Sequence, residues 1–559
     1  MTKDKSNHDS IKIIPLGGVG EVGKNMYVVE IEGDIFVLDA GFMFPEDEML
    51  GIDIVIPDFS YLEENKERIK GIFLTHGHLD AIGALPYLLR TIHAPVYGTK
   101  LTIALVKEAL KKHKNKFKNE FYVIQSTSRL TFGKRVVTFF RTTHSFPDSV
   151  GICIDTSEGK IVYTGDFKFD QTATGLYRTD IGKIASIGES GVLCLLSDST
   201  EAERPGYTSS EAHIANEISN AFHKAEGRII VACFAANLIR IQQVFDAAYE
   251  NKRKVAVMGK NLERVYEIAL DLGYLTVKDE HLIIPMKDIH RYPDDKVIII
   301  TTGNMGEPIQ ILQKMAKQQL HKDINIQKGD TVLITATPSP ALETFLFRTI
   351  DLLYRAGAKV ITFNQTIHVS SHGTQEDLKL MLNLIKPKYF IPIQGEYRML
   401  YAHAKLAQEV AMPKKHIFIP GKGEIIEYKN GHMSTGDRVS AGNVLIDGLG
   451  VGDVGNIVLR DRRLLSEDGI FIVVVTLNRK KKAIASGPEI ISRGFVYVRE
   501  SEKLIEKSTQ LTKQIVEKNL ASETFDWSTI KQDIREQLNT FLYDKTKRKP
   551  MILPIIMEI

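Results

Sequence analysis

Thr75-His76-Gly77-His78-Leu79-Asp80 places two imidazoles and a carboxylate within five residues, directly after the apolar run Ile72–Leu74. Neutral imidazole nitrogen and carboxylate oxygen are good ligands for zinc or a similar divalent ion. Gly77 lets the chain turn sharply enough for both rings to converge. His144 follows the apolar run Val136–Phe140, and Asp166 follows Ile161–Tyr163, so each sits at a strand exit as His76 does. Residues leaving separate strands can meet at one sheet edge, where layered α/β folds build their sites. Alone, His144 or Asp166 reads equally as a structural polar group. Together with the first motif, His144 and Asp166 read as metal ligands too, in preference to a pair of surface histidines in a loop and two structural polar groups.

The elements that must position them follow from periodicity. Ile11–Pro15, Met26–Ile31 and Asp34–Leu38 are apolar or alternating runs punctuated by Gly and Asp, and predict β structure. Short strands recur to about residue 200, the last at Val192–Leu196. From Ser209 helix and strand alternate: Ser210–Ala225, Arg228–Cys233, Leu238–Glu250, Lys254–Met258, Leu262–Leu272, Val297–Thr301, Val332–Ala336, Leu342–Ala356 and Lys359–Phe363. That rhythm predicts a parallel sheet covered on both faces. Residues 385–430 return to mixed strand and turn, and the Gly-rich stretch 440–463 suits a connector. A last α/β unit has strands at Phe471–Leu477 and Val496–Val498. Two amphipathic helices follow, about Glu502–Lys518 and Thr529–Tyr543, then a final apolar run, Met551–Met557. The stripe of 502–518 reads as core or subunit interface.

Composition narrows the classes. The chain has 559 residues, 43% hydrophobic and 25% charged, with 72 basic and 69 acidic side chains. That suits three or four globular units and excludes disorder, collagen and a long coiled coil. No stretch reaches the ~18–20 apolar residues of a membrane span, and the polar start predicts no signal peptide. Cys153, Cys194 and Cys233 lie apart in apolar runs, as buried free thiols of a reducing cytoplasm. At net charge +3, any nucleic-acid partner must be held by local basic patches. The runs Lys111–Lys118 and Lys545–Lys549 are solvated faces or grips on RNA backbone. Gly18-Val19-Gly20-Glu21-Val22-Gly23 fits G-x-G-x-x-G, but a strand follows it rather than a helix, so a dinucleotide site is excluded.

The order HGHLD, RTTHS and YTGDF resembles the metallo-β-lactamase fold, and FVLDAG at 36–41 is similar to its first motif. The αβ segment at about 209–372, followed by HVSSHGTQEDLK and IQGEYR, resembles the β-CASP insertion of nucleic-acid-processing nucleases. With GGVGEVGKN, LSDST, ERPGYT, GNMGEP, DGLGVGDVGNIVLRDR and SGPEIISRGFVYV, essentially the whole chain resembles the bacterial ribonuclease J family. The fold so implied is α/β: a metallo-β-lactamase αββα sandwich with an inserted β-CASP parallel-sheet domain and a small C-terminal α/β domain. Its expected parts are 1–208 and 373–448 for the split sandwich, 209–372 for the insert, 449–463 for a linker and 464–559 for the last domain.

The resemblance also implies roles. One ion takes His76, His78 and His144; a second takes Asp80 with positions 81 and 394; Asp166 bridges them, and Asp39 orients the loops. His372 lies over the scissile phosphate, His368, Val369, Ser370, Ser371 and His372 form an RNA phosphate-binding loop, and Ala235, Ala236 and Asn237, with Arg240 beyond, form a 5′-phosphate pocket. A helix starting at Thr374 with Asp377 as capping partner suits the same loop. The chain departs from the pattern at Ala81 and Gln394, where the family carries histidines, and at Ala236, where it carries serine. Both histidine losses strike the second ion, which resembles the second, catalytically degenerate paralogue found beside an active one in Gram-positive bacteria.

The implied activity is 5′-to-3′ exonuclease and endonuclease hydrolysis of RNA in mRNA decay and rRNA maturation. Metal-activated water is positioned by Asp80, with His372 assisting. Zinc is expected in one well-formed site, and the second site is weak or absent, filled if at all by Mn or Mg. Implied partners are RNA, the active paralogue, and a homo- or hetero-oligomer through the C-terminal domain, with no membrane. The rival is a largely non-catalytic RNA-binding partner of that paralogue. A hydrolase of small thioesters or lactams has no use for so long an insertion.

Overall fold

The alternating runs at the start of the chain become strands because β-branched residues can face a core on both sides of the sheet. The computed structural model describes residues 10–46, 48–113, 117–302, 308–335, 343–362, 370–448, 450–478, 481–496, 501–522 and 526–559. Ile11–Gly17, Met26–Ile31 and Asp34–Leu38 form an antiparallel meander, the last two joined by a tight turn at Glu32 and Gly33, both at positive φ. Asp34–Leu38 continues parallel to Ile69–Phe73, Val96–Gly98 and Phe121–Val123, while Glu424–Lys429 and His432–Arg438 complete an eight-stranded sheet on the other side.

A six-stranded sheet faces it, in the order Tyr389–Ile393, Val192–Asp198, Gly159–Tyr163, Val150–Thr156, Arg135–Arg141 and Arg129–Phe132. Ile13, Val29, Phe36 and Phe73 of the first sheet and Val137, Ile152, Tyr163, Leu196 and Ile391 of the second form one buried cluster between them. On the outer face of the second sheet, Val162, Leu195 and Phe390 pack under Ile184, Leu378, Met381 and Leu406 of helices Ile181–Glu189, Gln375–Ile385 and Tyr397–Glu409. Leu85, Leu88, Leu101 and Val106 of helices Leu85–Leu88 and Lys100–Lys111 cover the first sheet's outer face. The layers are αββα.

The strict alternation after residue 209 builds a third, all-parallel sheet, whose inner strands Ile229–Ala232, Val297–Thr301 and Thr331–Ile334 are buried along their whole length. Helices Glu211–Lys224, Leu238–Glu250 and Lys260–Asp271 follow the periodic stretches read from the sequence to within two residues at each end. The predicted ends at Ala336, Leu342 and Phe363 lie outside the described residues, as do Tyr497 and Val498 of the strand expected at Val496–Val498.

The described residues divide into two compact units, 10–43 with 56–443 and 44–55 with 444–559. In the second, Ile470–Asn478 runs antiparallel to Ala483–Arg493 and parallel to Met551–Glu558. Helices Glu502–Leu520 and Trp527–Thr546 bury Ile515, Val516, Ile530, Ile534, Leu538 and Leu542 against one face of that sheet. The sequence reading of 440–463 as connector needs correction: Asn456–Asp468 is a helix. Its Leu and Arg residues are good helix formers, which outweigh the glycines before it. Among the described residues no helix is long and apolar enough to cross a membrane.

Candidate functional site

The strand Ile69–Phe73 ends just before Thr75, whose N–H and hydroxyl both donate to the buried carboxylate of Asp39, at 2.8 and 2.9 Å. Tyr163 donates to the same carboxylate at 2.6 Å. Burial pushes the Asp39 carboxyl up to about 7 against these hydrogen bonds. Asp39 therefore pins the strand exit that carries His76. The following turn is packed so closely that a Cβ on Gly41 would lie 1.5 Å from the Asp80 carbonyl oxygen. His144 and Asp166 leave the Arg135–Arg141 and Gly159–Tyr163 strands toward the same point.

His76, His78, His144 and Asp166 come together, each offering one ligand atom within 4.8 Å of the others. His76 Nε2 lies 3.6 Å and His144 Nε2 3.8 Å from Asp166 Oδ2, and His144 Nε2 lies 3.0 Å from His78 Nδ1. The outer nitrogens decide the tautomers. His144 Nδ1 donates to the Ser371 carbonyl at 2.9 Å, and His78 Nε2 to the Ala236 carbonyl at 3.4 Å. His76 Nδ1 donates to Thr75 Oγ1 at 2.9 Å, since that hydroxyl's own proton goes to Asp39. A carbonyl only accepts, so the inward nitrogens of His78 and His144 both present lone pairs. His76 Nε2 is buried and has no hydrogen-bond partner. Three inward lone pairs and a carboxylate fit a divalent cation. Burial holds His76, His78 and His144 below the usual imidazole range, so they are unprotonated and ready to ligate.

The second position is different in kind. Asp80, on the short helix Leu79–Ile82, accepts from Gln394 Nε2 at 3.2 Å and Asn25 Nδ2 at 3.3 Å, both on Oδ2. Gln394 is buried just after the Tyr389–Ile393 strand at a φ of 53°, its N–H bonded to the Gly18 carbonyl at 2.7 Å. Ala81 is fully buried and contributes only a methyl group. Asp80 Oδ1 remains 3.9 Å from His76 Nε2.

His372 lies above this cluster, its ring centroid 5.6 Å from that of His144. Its Nδ1 donates to Asp198 Oδ2 at 2.7 Å. Burial alone would lower its pKa, but the carboxylates of Asp198 and Asp166 raise it to about 10, so the ring is cationic at neutral pH. Asp198 is the site residue that sequence reasoning missed. It ends the strand Val192–Asp198, two residues longer than predicted, and the strand-exit signal used for His144 and Asp166 would have found it. Thr200 fixes its other oxygen through the backbone N–H at 3.0 Å and the hydroxyl at 2.7 Å.

Ser370, Ser371 and His372 form a loop held from below. Lys168 Nζ donates to the Ser370 carbonyl at 3.2 Å and to Glu211 Oε1 at 2.7 Å. Thr208 Oγ1, which donates to the Asp377 carboxylate and accepts from the Thr374 N–H at 3.1 Å, lies 3.2 Å from the His372 carbonyl. The helix Gln375–Ile385 starts at Thr374, whose N–H donates to Asp377 at 3.2 Å, as the sequence suggested. His368 and Val369 lie outside the described residues. Ala235, Ala236 and Asn237 form the half-buried turn into Leu238–Glu250, and Asn237 caps that helix by accepting from the Arg240 N–H at 3.2 Å. Arg240 is buried beside Glu211, 3.3 Å away, and its Nε has no partner.

A four-layer sandwich with histidines and aspartates at one edge, joined to an all-parallel α/β insert, defines a metal-dependent hydrolase of the metallo-β-lactamase class. Residues 19–185 match the family described as "Metallo-beta-lactamase superfamily", and 226–353 match "Ribonuclease J, beta-CASP domain". Residues 358–420 match "Zn-dependent metallo-hydrolase RNA specificity domain", and 457–559 "Ribonuclease J C-terminal domain". Over 555 residues the chain is 57% identical to "Ribonuclease J2" of Bacillus subtilis (strain 168), covering 99% of this chain and 100% of that protein. It is 53% identical to "Ribonuclease J 2" of Staphylococcus epidermidis and of Staphylococcus aureus, over 100% of each chain. The chain belongs to the ribonuclease J family, on the side of its second paralogue. A solved protein of unknown function from Enterococcus faecalis V583 shares the fold, with a TM-score of 0.53 at 16% identity, covering 75% of this chain and 100% of that one.

Proposed function

We propose that this member of the family hydrolyses RNA phosphodiesters, as a 5′-to-3′ exonuclease and endonuclease in mRNA decay and rRNA maturation, and does so weakly on its own. The observation that carries the weakness is the Asp80 carboxylate, which two side-chain amides hold where the family's second ion has its ligands. His76, His78, His144 and Asp166 hold one zinc ion, with the second position left to a harder ion such as Mn or Mg. A divalent ion there supplies Lewis acidity and lowers the pKa of water. Asp80 Oδ1 orients the attacking water, and His372, kept protonated by Asp198, holds a phosphate oxygen or gives its proton to the leaving group. The loop Ser370–His372 and the turn Ala235–Asn237 supply backbone N–H groups and a helix start to RNA phosphates.

We further propose domains at 1–208 with 373–448, an insert at 209–372 and a last domain at 464–559, in a cytoplasmic protein; the stretch 449–463 is not a plain linker, because the helix Asn456–Asp468 begins within it. The sheet of that last domain presents Leu553, Ile555 and Met557 to solvent, which suits association with a second copy or with the active paralogue. Purified protein incubated with 5′-monophosphorylated RNA over a range of Mn²⁺ and Mg²⁺ tests the reading. Slow, metal-dependent shortening from the 5′ end supports it. RNA binding without any cleavage at every concentration would instead favour a non-catalytic partner role, for which Ala81 and Gln394 also speak.

A further inference from the structure

The two carbonyls that set the tautomers of His78 and His144 do not come from the strands that carry those histidines. Ala236 lies in the segment matched to the β-CASP domain, and Ser371 in the segment matched to the RNA specificity domain. Both carbonyls sit in the two loops assigned above to RNA. We propose that the main-chain carbonyls of Ala236 and Ser371 are positioning groups for the ion, so that RNA seated on these loops and the ion raise each other's affinity.

The physical argument is short. An imidazole ligates through one nitrogen only while the other carries the proton, and an acceptor fixed at the outer nitrogen holds that arrangement. His78 and His144 face each other across 3.0 Å with both inward lone pairs exposed, an arrangement without an ion that persists only while both acceptors stay in place. If either loop retreats, its histidine can turn or change tautomer, and two of the four ligands are compromised together. Among the described residues, the Ser370–His372 loop rests on Lys168, Thr208 and the His372–Asp198 pair. The Ala236 carbonyl is held only within its own turn, by the Leu238 N–H at 3.0 Å, with Asn237 capping the helix that follows. RNA phosphates bound to the loops stiffen them, which improves ion binding. Linkage then requires the ion to improve RNA binding by the same factor.

The inference rests on the proposed RNA-binding and ion-binding reading, and the test separates the two. Zinc affinity of the full-length protein is measured against a chromophoric chelator, alone and with saturating 5′-monophosphorylated RNA carrying 2′-O-methyl groups to block cleavage. RNA affinity is measured by fluorescence anisotropy with and without zinc. A change in such outer partners commonly shifts metal affinity ~10–100-fold, so RNA should strengthen zinc binding about tenfold and zinc should strengthen RNA binding equally. Thr208→Val and Asn237→Ala, each checked for folding by circular dichroism, should weaken zinc binding several-fold without RNA and bring the coupling toward one.

Coupling within twofold of one in the parent protein, with zinc and RNA both bound, overturns the inference and leaves the functional reading standing. Undiminished coupling in both folded variants also overturns it, because simple attraction between cation and RNA would then suffice. Failure of zinc or RNA to bind removes the functional reading and the inference together. Should a variant not fold, ¹⁵N-labelled histidine in the zinc-free parent decides. Protons on His78 Nε2 and His144 Nδ1 are expected, and the opposite tautomer at either ring overturns the proposal.

Discussion

Two pockets lie within a few ångströms of each other and solve opposite problems. At the first, His76 Nε2 is buried without a partner and two further imidazole nitrogens face each other at 3.0 Å, so the protein alone leaves the pocket unsatisfied. At the second, two amides donate to Asp80 Oδ2 and Ala81 brings only a methyl group, so the carboxylate oxygen that faces them is satisfied, although Asn25 Oδ1 beside it is buried without a partner. A buried polar atom without a partner costs ~1–3 kcal/mol, and a cation among the three imidazoles removes that cost at the first pocket. What separates the two pockets is whether the side chains around a carboxylate bring lone pairs or N–H groups.

The largest effect is expected at the unsatisfied pocket. His76→Ala removes one imidazole of three and should take bound zinc, measured by native mass spectrometry, from about one ion per chain to none, on the four-ligand logic of such sites. RNA hydrolysis should fall to background with it. The parent protein holding two ions after extensive dialysis would break the comparison outright. Next comes the attempt to convert the second pocket into the first. Ala81→His with Gln394→His should raise second-ion occupancy and hydrolysis together, by more than roughly tenfold. Each alone should do less, because ligands of one ion act as a unit. The burial of Ala81 adds a cost: the larger ring should destabilise by about 1–3 kcal/mol, visible in thermal melts. A double variant that binds two ions and cleaves no faster would move the defect from the metal pocket to substrate placement, with Ala236 the first suspect.

Much of this was readable from the sequence, and the remainder has particular causes. His76, His78, His144 and Asp166 were found because each follows an apolar run, and a strand exit at a sheet edge is a one-dimensional signal for a three-dimensional meeting point. The elements with a strong period also came through, such as Leu238–Glu250 and Lys254–Met258. Asp198 was missed because the apolar run ends at Leu196 while the strand continues through Ser197, held by pairing with Pro392 and Ile393 of a strand almost two hundred residues away. The amide contacts of Asn25 and Gln394 on Asp80 were invisible for the same reason: they join positions 55 and 314 residues apart. The helix at Asn456–Asp468 was hidden by the glycines that precede it.

A smaller effect concerns His372, which stands over both pockets. Burial lowers its pKa, and Asp198, with Asp166 and Glu201 behind it, more than reverses this to about 10. Asp198→Asn removes the strongest opposing carboxylate and leaves burial opposed only by Asp166 and Glu201, so the pKa should fall. The loss of RNA affinity with rising pH, which the parent should show only near pH 10, should move down toward neutrality in the variant. A charged hydrogen bond is worth ~1.5–3 kcal/mol, so at about pH 8 the variant should bind RNA about tenfold more weakly and at about pH 5 nearly as well as the parent. Equal weakening at both pH values would mean that Asp198 acts on the loop's shape and not on the proton. His372→Gln should abolish the pH difference between parent and variant.

The smallest expected change tests whether the comparison belongs to one chain at all. If a second chain lends ligands beside Ala81 and Gln394, the second pocket is incomplete only in the isolated chain. The C-terminal sheet is the surface to remove, but truncation near residue 450 is a poor instrument, because residues 44–55 pack with 444–559: the Asp53 N–H donates to the Ile446 carbonyl at 2.9 Å, and Arg462 Nη1 to the Leu50 carbonyl at 2.8 Å. Leu553→Lys with Ile555→Lys is cleaner. Both side chains are exposed on the sheet face opposite the helices, so lysine there should cost the fold little, within ~0.5 kcal/mol each, while like charges repel across any self-association. Light scattering should show the mass falling to that of one chain. Zinc content and the rate of RNA hydrolysis should stay within about twofold of the parent, because every ligand of the first pocket and both amides of the second come from the same polypeptide. An ion count that falls when association is lost would show that a neighbouring chain completes the second pocket, and would turn the contrast between the two pockets into a contrast between the lone chain and its assembly.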